Sequence, residues 1–188
     1  MRLALVVLQV IGTGSVFLRS VASVALLSAT TGVAKDVWPT IDTQQAGYSV
    51  IRFPYASNVN TYNKTTMLEL VNKLRQTYDL GALEYHDALL SVAQNHAKFQ
   101  ASFKVITHAD TSGLLANRIA ALSSTPWHGF RVLAENVGAG IAGEKEIIDA
   151  WASSPGHLAN ILHPKIQYMG VGVSSGYWVQ DFASFGSI

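Results

Sequence analysis

The chain has 188 residues, 49% of them hydrophobic and 13% charged, no cysteine, and a formal net charge of +1. That length holds one domain of ordinary size plus a leader, and without cysteine neither a disulfide framework nor a thiolate metal site is available. A charge so close to balance offers no electrostatic grip on nucleic acid.

Residues 1–34 contain no acidic residue, two arginines (Arg2 and Arg19) and two apolar runs, 3–11 and 21–27, broken by Gly12, Thr13, Gly14 and Arg19. Neither run reaches membrane-spanning length. Gly32-Val33-Ala34 ahead of Lys35 fits a signal-peptidase site, with Thr30 and Ala29 as alternative cleavage points. A secretory signal over 1–34 is therefore expected ahead of an uncleaved anchor or a buried helix, giving a secreted, extracellular product with no stable membrane span. Without Arg2 and Arg19 the chain keeps eleven basic against twelve acidic residues, so the mild basicity belongs to the leader. Residues 35–62 are polar, carry Pro39 and Pro54, and show no sustained periodicity, which reads as a spacer or loosely attached arm. The domain proper is expected over 63–188. It opens on the N-glycosylation sequon Asn63-Lys64-Thr65, which marks a glycoprotein if the chain is secreted.

Met67, Leu70, Val71, Leu74 and Tyr78 follow helical spacing. Thr66 with Glu69 makes a capping box for this first helix, and Gly81 supplies its stop. A second helix is expected from Asp87 to about Phe99, with Leu89, Ala93 and Ala97 inward, and a third over 111–122 with Leu115, Ile119 and Leu122 on one side. A fourth fits 144–152, where Glu144 and Glu146 suit the first turn and Ile147, Ile148 and Trp151 the buried face. Ser154 as N-cap and Pro155 as first helical residue open a fifth, which stops before Pro164. Strands are expected over 131–140, 168–173 and 177–183, the last two joined by a turn at Ser174-Ser175-Gly176. The pattern is α+β: a small, mostly antiparallel sheet flanked by helices.

Six histidines are candidates for chemistry. His96 lies seven residues after Leu89 and leans on the core face of its helix, while His86, His128 and His163 sit at element ends where capping is the default. Two remain. His108 follows the apolar "KVIT" into a loop. His157 falls in a first helical turn, where the positive end of the helix dipole disfavours imidazolium and leaves a neutral ring to accept a proton or bind a metal. Glu135 is the sole charge in "VLAENVGAG", so it must be paired, hydrogen-bonded or set at a cleft edge. A structural bond to backbone N–H groups fits it equally well. No spacing rule forces these three together, and no H-E-x-x-H, G-x-S-x-G or phosphate-binding glycine loop is present.

The ordered series "THAD", "NRIAAL", "AENVGAG", "IIDAWASSPGHLANIL" and "YMGVGVSSGYWVQDFA" resembles the CAP superfamily, also called SCP/TAPS, from about Thr65 to about Ser184. It is most similar to the cysteine-free microbial form. The resemblance implies a three-layer α–β–α sandwich with an open cleft, across which two histidines can hold a divalent cation, often zinc. His108 and His157 match those histidines, and Glu135 matches the acid of the family's "G-E-N" motif, with Ala134 in place of the glycine. The second glutamate that many members carry after the tryptophan is missing from Trp151-Ala152-Ser153-Ser154. Two imidazoles make a sparse, weakly binding site, since catalytic zinc usually has three protein ligands. A zinc-dependent hydrolase with Glu135 as base is accordingly the lesser expectation. The leading one, implied by the resemblance, is a non-enzymatic secreted module that binds sterol or fatty acid. A host- or cell-wall-directed effector acting by protein or glycan contacts is the alternative. Trp127 and Phe130, close together in "STPWHGF", are expected either to offer an exposed apolar contact for lipid or to fill the core beneath a loop. Trp151 and Trp178 are expected in the core.

Overall fold

A computed structural model describes residues 8–12, 41–42, 50–52, 58–122 and 130–185. Three short strands come first: β1 (Leu8–Gly12), β2 (Ile41–Asp42) and β3 (Val50–Arg52). Helix α1 (Lys64–Gln76) follows, and its cap is Asn63 rather than Thr66. Asn63 is extended, so its Oδ1 reaches the Thr66 N–H at 3.0 Å, and its own N–H donates to Glu144. The role expected of Glu69 is thus taken by a carboxylate distant in sequence. The helix stops at Thr77, ahead of Gly81, with Asp79 at φ 56° turning the chain. Arg75, although charged, is buried, because its guanidinium donates to the carbonyls of Gly81 (2.8 Å) and Ile161 (2.7 Å).

After β4 (Glu84–Tyr85), helix α2 spans Asp87–Phe103, capped by His86, whose Nδ1 accepts from the Ala88 N–H at 3.3 Å. It runs one turn beyond Phe99 and ends where Lys104 adopts φ 53°. Strand β5 (Val105–Ile106) leads to α3 (Leu115–Ala120), which is shorter than the expected 111–122. Residues 110–113 instead close a tight turn: Asp110 and Gly113 exchange backbone bonds, Gly113 sits at φ 105°, and Asp110 Oδ1 accepts from the Ser112 N–H. Then come β6 (Phe130–Ala139), α4 (Glu144–Ala152), α5 (Pro155–Ile161), β7 (Tyr168–Ser174) and β8 (Tyr177–Phe185). The β7–β8 turn is the one expected. Ser175 and Gly176 both have positive φ, the conformation that suits the twist of a two-residue hairpin.

The main sheet has the order β1-β6-β8-β7-β4, antiparallel except for the β4–β7 pair, and β2-β3-β5 form a second small sheet. Alternation along each strand sorts the side chains to two faces. Ala134, Phe182 and Val171 join Met67, Val71, Ile147, Trp151 and Ile161 in a core between the sheet and α1, α4 and α5. On the other face Val137 and Val179 meet Ala93 and Ala97 of α2, and Ala183 meets Leu89, Leu115 and Ile119. This is a three-layer α–β–α sandwich. Trp151 and Trp178 are fully buried, their indole N–H groups donating to Val137 O and Ile141 O.

Helix α2 lies directly on β7. A Cβ added at Gly170 would fall 2.1 Å from the Leu89 backbone, and one at Gly172 would fall 2.4 Å from the Ala93 backbone. Within the polar stretch before the domain, β3 pairs with β5, Val59 O and Asn60 Oδ1 accept from the Gly176 and Ser175 N–H groups, and Tyr62 Oη donates to Val171 O. Most of residues 1–34 lie outside the described residues, apart from β1. Among the described residues no helix is long and apolar enough to cross a membrane.

Candidate functional site

The site begins where β5 leaves the second sheet. Thr107 is held at both backbone groups: its N–H donates to Gln100 Oε1 at 3.1 Å, and its carbonyl accepts from His96 Nε2 at 2.7 Å. Because a carbonyl only accepts, Nε2 of His96 carries the proton. Its Nδ1 faces Asp110 Oδ2 at 3.5 Å, an ion-pair distance rather than a hydrogen bond. His96, expected merely to lean on the core, therefore fixes the loop that carries His108.

His108 is 1% exposed, and its Nδ1 lies 2.7 Å from Glu135 Oε1. The carboxylate accepts, so Nδ1 donates, and in the neutral ring Nε2 is then the nitrogen with the lone pair. That Nε2 is buried with no hydrogen-bond partner among the described residues. The other oxygen of Glu135 accepts from Arg118 Nη2 on α3. Glu135 is thus paired with two side chains rather than with backbone N–H groups.

In the β6–β8 register Glu135 stands opposite Asp181, and both carboxyls are buried. Two facing carboxylates out of water cannot both ionise cheaply. Burial pushes Glu135 upward, but the Arg118 guanidinium, helped by His96 and His108, outweighs it and holds Glu135 well below the usual carboxylate range. For Asp181, burial and then the Glu135 charge push the same way, so its carboxyl lies far above its ordinary value and keeps its proton.

One residue along, the other face is neutral. Asn136 Nδ2 donates to Gln180 Oε1 (3.1 Å) and to the His157 carbonyl (3.3 Å), while Asn160 Nδ2 donates to Asn136 Oδ1 (2.9 Å) and Glu135 O (3.1 Å). These amides lash α5 to β6. Ser154 and Pro155 start α5 as expected, although the Ser154 side chain makes no capping bond. His157 is fully buried. The cleft implied by the resemblance is therefore not open at its histidines: both rings are enclosed.

Of the residues singled out by sequence, His108 and Glu135 are in direct contact, and His157 is tied to the same strand through Asn136. Asn63 is exposed at the start of α1. Trp127 lies outside the described residues, and Phe130 is the first residue of β6, paired with Phe185. Among the described residues no three His, Cys, Asp or Glu side chains gather as a metal cage. Glu135 has both oxygens engaged, which leaves His108 Nε2 as the ring nitrogen of this pair without a hydrogen-bond partner among the described residues. Arg118 and Asp181 are not among the residues singled out by sequence. Asp181 carries the same signal as Glu135, a lone charge in the β-rich run "YWVQDFAS", and Arg118 occupies the i+3 place in the apolar stripe of Leu115, Ile119 and Leu122.

Residues 68–182 match the family model described as the cysteine-rich secretory protein family, CAP. The chain is 30% identical over 129 residues to the uncharacterized protein YkwD of Bacillus subtilis, covering 67% of this chain and 48% of that one. It is 24% identical to the uncharacterized membrane protein YlbC of the same bacterium, covering 66% and 35%. It thus spans about half or less of the length of these relatives. Among solved structures, an extracellular SCP-domain protein of Bacillus anthracis superposes with a TM-score of 0.59 at 26% identity, over 64% of this chain and 39% of that one. An outer surface protein of Borrelia burgdorferi gives 0.57 at 20% identity, over 68% and 100%, and so shares the fold alone.

Proposed function

The chain belongs to the cysteine-rich secretory protein (CAP) family, and from that premise we propose that it is a secreted binding module able to hold a divalent cation such as zinc, weakly, through His108 and His157. The observation that carries this reading is the 2.7 Å contact between His108 Nδ1 and Glu135 Oε1. Glu135 binds Nδ1–H and so turns a buried, otherwise unbonded Nε2 into a ligand nitrogen. A cation there would supply positive charge to polarise or hold an incoming oxygen or anionic group.

Hydrolysis is the weaker reading. Arg118 keeps Glu135 ionised and of low proton affinity, which makes it a poor general base, and Asp181 is buried beyond it. Binding of sterol or fatty acid, or of a host or cell-wall component, rests on the family premise. The groove of about 360 Å³ beside α2 is lined by Tyr62, Leu90 and Val171 but also by Lys64, Gln94 and Asn95, so its lining is as much polar as apolar.

Titration calorimetry with Zn2+, repeated on His108→Ala and His157→Ala, tests the proposal. Weak saturable binding lost in each variant supports it. Binding that survives both variants would place the metal elsewhere.

A further inference from the structure

The outer edge of β6 is the part of the sheet that a second chain segment already exploits. In the strand order, β1 lies at the end of the sheet beside β6, so among the described residues no other strand covers the β6 edge. The pairing is antiparallel and regular over five residues: Leu8 opposite Val137, Val10 opposite Glu135 and Gly12 opposite Leu133. A bare edge is a row of unpaired N–H and C=O groups, which proteins normally blunt with proline, lysine or a bulge. Residues 133–137 (Leu-Ala-Glu-Asn-Val) hold neither proline nor lysine. The register irregularity of β6 lies between Phe130 and Val132, short of this stretch. Its one charge, Glu135, is turned to Arg118 and His108. The segment seated on it, Leu-Gln-Val-Ile-Gly, is uncharged. Helix α5, which carries His157, packs against β1 as well as β6.

We infer that the β6 edge is a strand-addition site for an extended, uncharged, apolar peptide of a partner protein, and that Leu8–Gly12 occupies it until residues 1–34 are removed. The inference rests on reading 1–34 as a cleaved leader and adds a peptide ligand to the proposed metal site on the same strand. Backbone hydrogen bonds would supply the attachment and alternate side chains the selectivity. While its leader remains, the chain would block its own site.

The test uses the full chain carrying Val10→Pro and Ile11→Pro together. Neighbouring residues in a strand point their N–H groups to opposite sides, so this pair removes a ladder donor whichever residue faces β6. Hydrogen exchange of those amides in 133–137 that point towards β1 should accelerate at least tenfold in the variant, with the amides that point towards β8 and those of β8 itself as the control for intact folding. A peptide of residues 6–14, VVLQVIGTG, should then bind the variant saturably and restore protection, while leaving the unaltered chain unbound. The same peptide N-methylated at the positions of Val10 and Ile11 should bind at least tenfold more weakly. Unchanged exchange in the variant, or equal binding of the N-methylated peptide, would overturn the inference. So would a variant that dimerises through β6 and ignores the peptide. Zn2+ titration of the same samples separates the two readings: peptide binding lost with zinc binding intact counts against strand addition alone, and the reverse counts against the metal site alone.

Discussion

Two adjacent rows of the β6–β8 ladder, one residue apart, solve the same problem in opposite ways. Asn136 faces Gln180 on the side of α5, and Glu135 faces Asp181 on the side of α2 and α3. The amide row can bond within itself, because Asn136 donates to Gln180 and accepts from Asn160, although Gln180 Nε2 and Asn160 Oδ1 have no hydrogen-bond partner among the described residues. The carboxyl row cannot, since ionised carboxylates only accept. It needs Arg118, the His108 N–H and a proton kept on Asp181. The neutral row fixes a helix; the charged row orients an imidazole. Burial is common to both, so it is the chemistry of the pair that separates scaffold from site.

The sharpest way to break this contrast is Glu135→Ala. It strands the buried Arg118 without its carboxylate and should cost about 3–5 kcal/mol in urea unfolding. Since Glu135 titrates well below its ordinary value in the folded state, its contribution is present above about pH 4.5 and lost as pH falls through the depressed value. The deficit should therefore shrink on acidification. Asn136→Ala leaves the partners of the amide row unsatisfied and should cost about 1–3 kcal/mol, with little dependence on pH by the same measurement.

Asp181→Asn sharpens the comparison from the other side, because an amide resembles the protonated acid without titrating. The folded chain holds the Asp181 proton above the carboxyl's unfolded value, near 3.9, so stability declines as pH rises from there towards the raised value. The difference in Tm between variant and parent should be near zero below about pH 4 and grow in the variant's favour towards neutrality. A flat difference would mean that Glu135 and Asp181 share their charge in another way. The smallest effect belongs to the scaffold: Asn63→Ala removes the α1 cap and should cost about 1 kcal/mol.

The helices over 144–152 and after Ser154, and the β7–β8 hairpin, are legible from capping residues, periodicity and turn chemistry, because those features are local. The third helix falls short of its expected span at both ends; at its start the Asp110–Gly113 turn competes with helix through a side-chain bond and a positive φ at Gly113. The first helix is capped by Asn63 rather than Thr66, and Asn63 gains a further partner from Glu144, 81 positions away. Within the site, His108, Glu135 and His157 are each visible as an odd residue in its own segment. That Glu135 meets His108 depends on sheet register, and no spacing in the chain encodes register. Arg118 and Asp181 show that a lone charge in an apolar stripe or β-run carries the same signal wherever it occurs.

The most direct test of the central claim is 15N NMR of the His108 imidazole with and without Zn2+. The hydrogen bond to Glu135 predicts the Nδ1–H tautomer, with an unprotonated Nε2 whose resonance moves on addition of zinc. An Nε2–H tautomer, or an Nε2 resonance that ignores zinc, would contradict it.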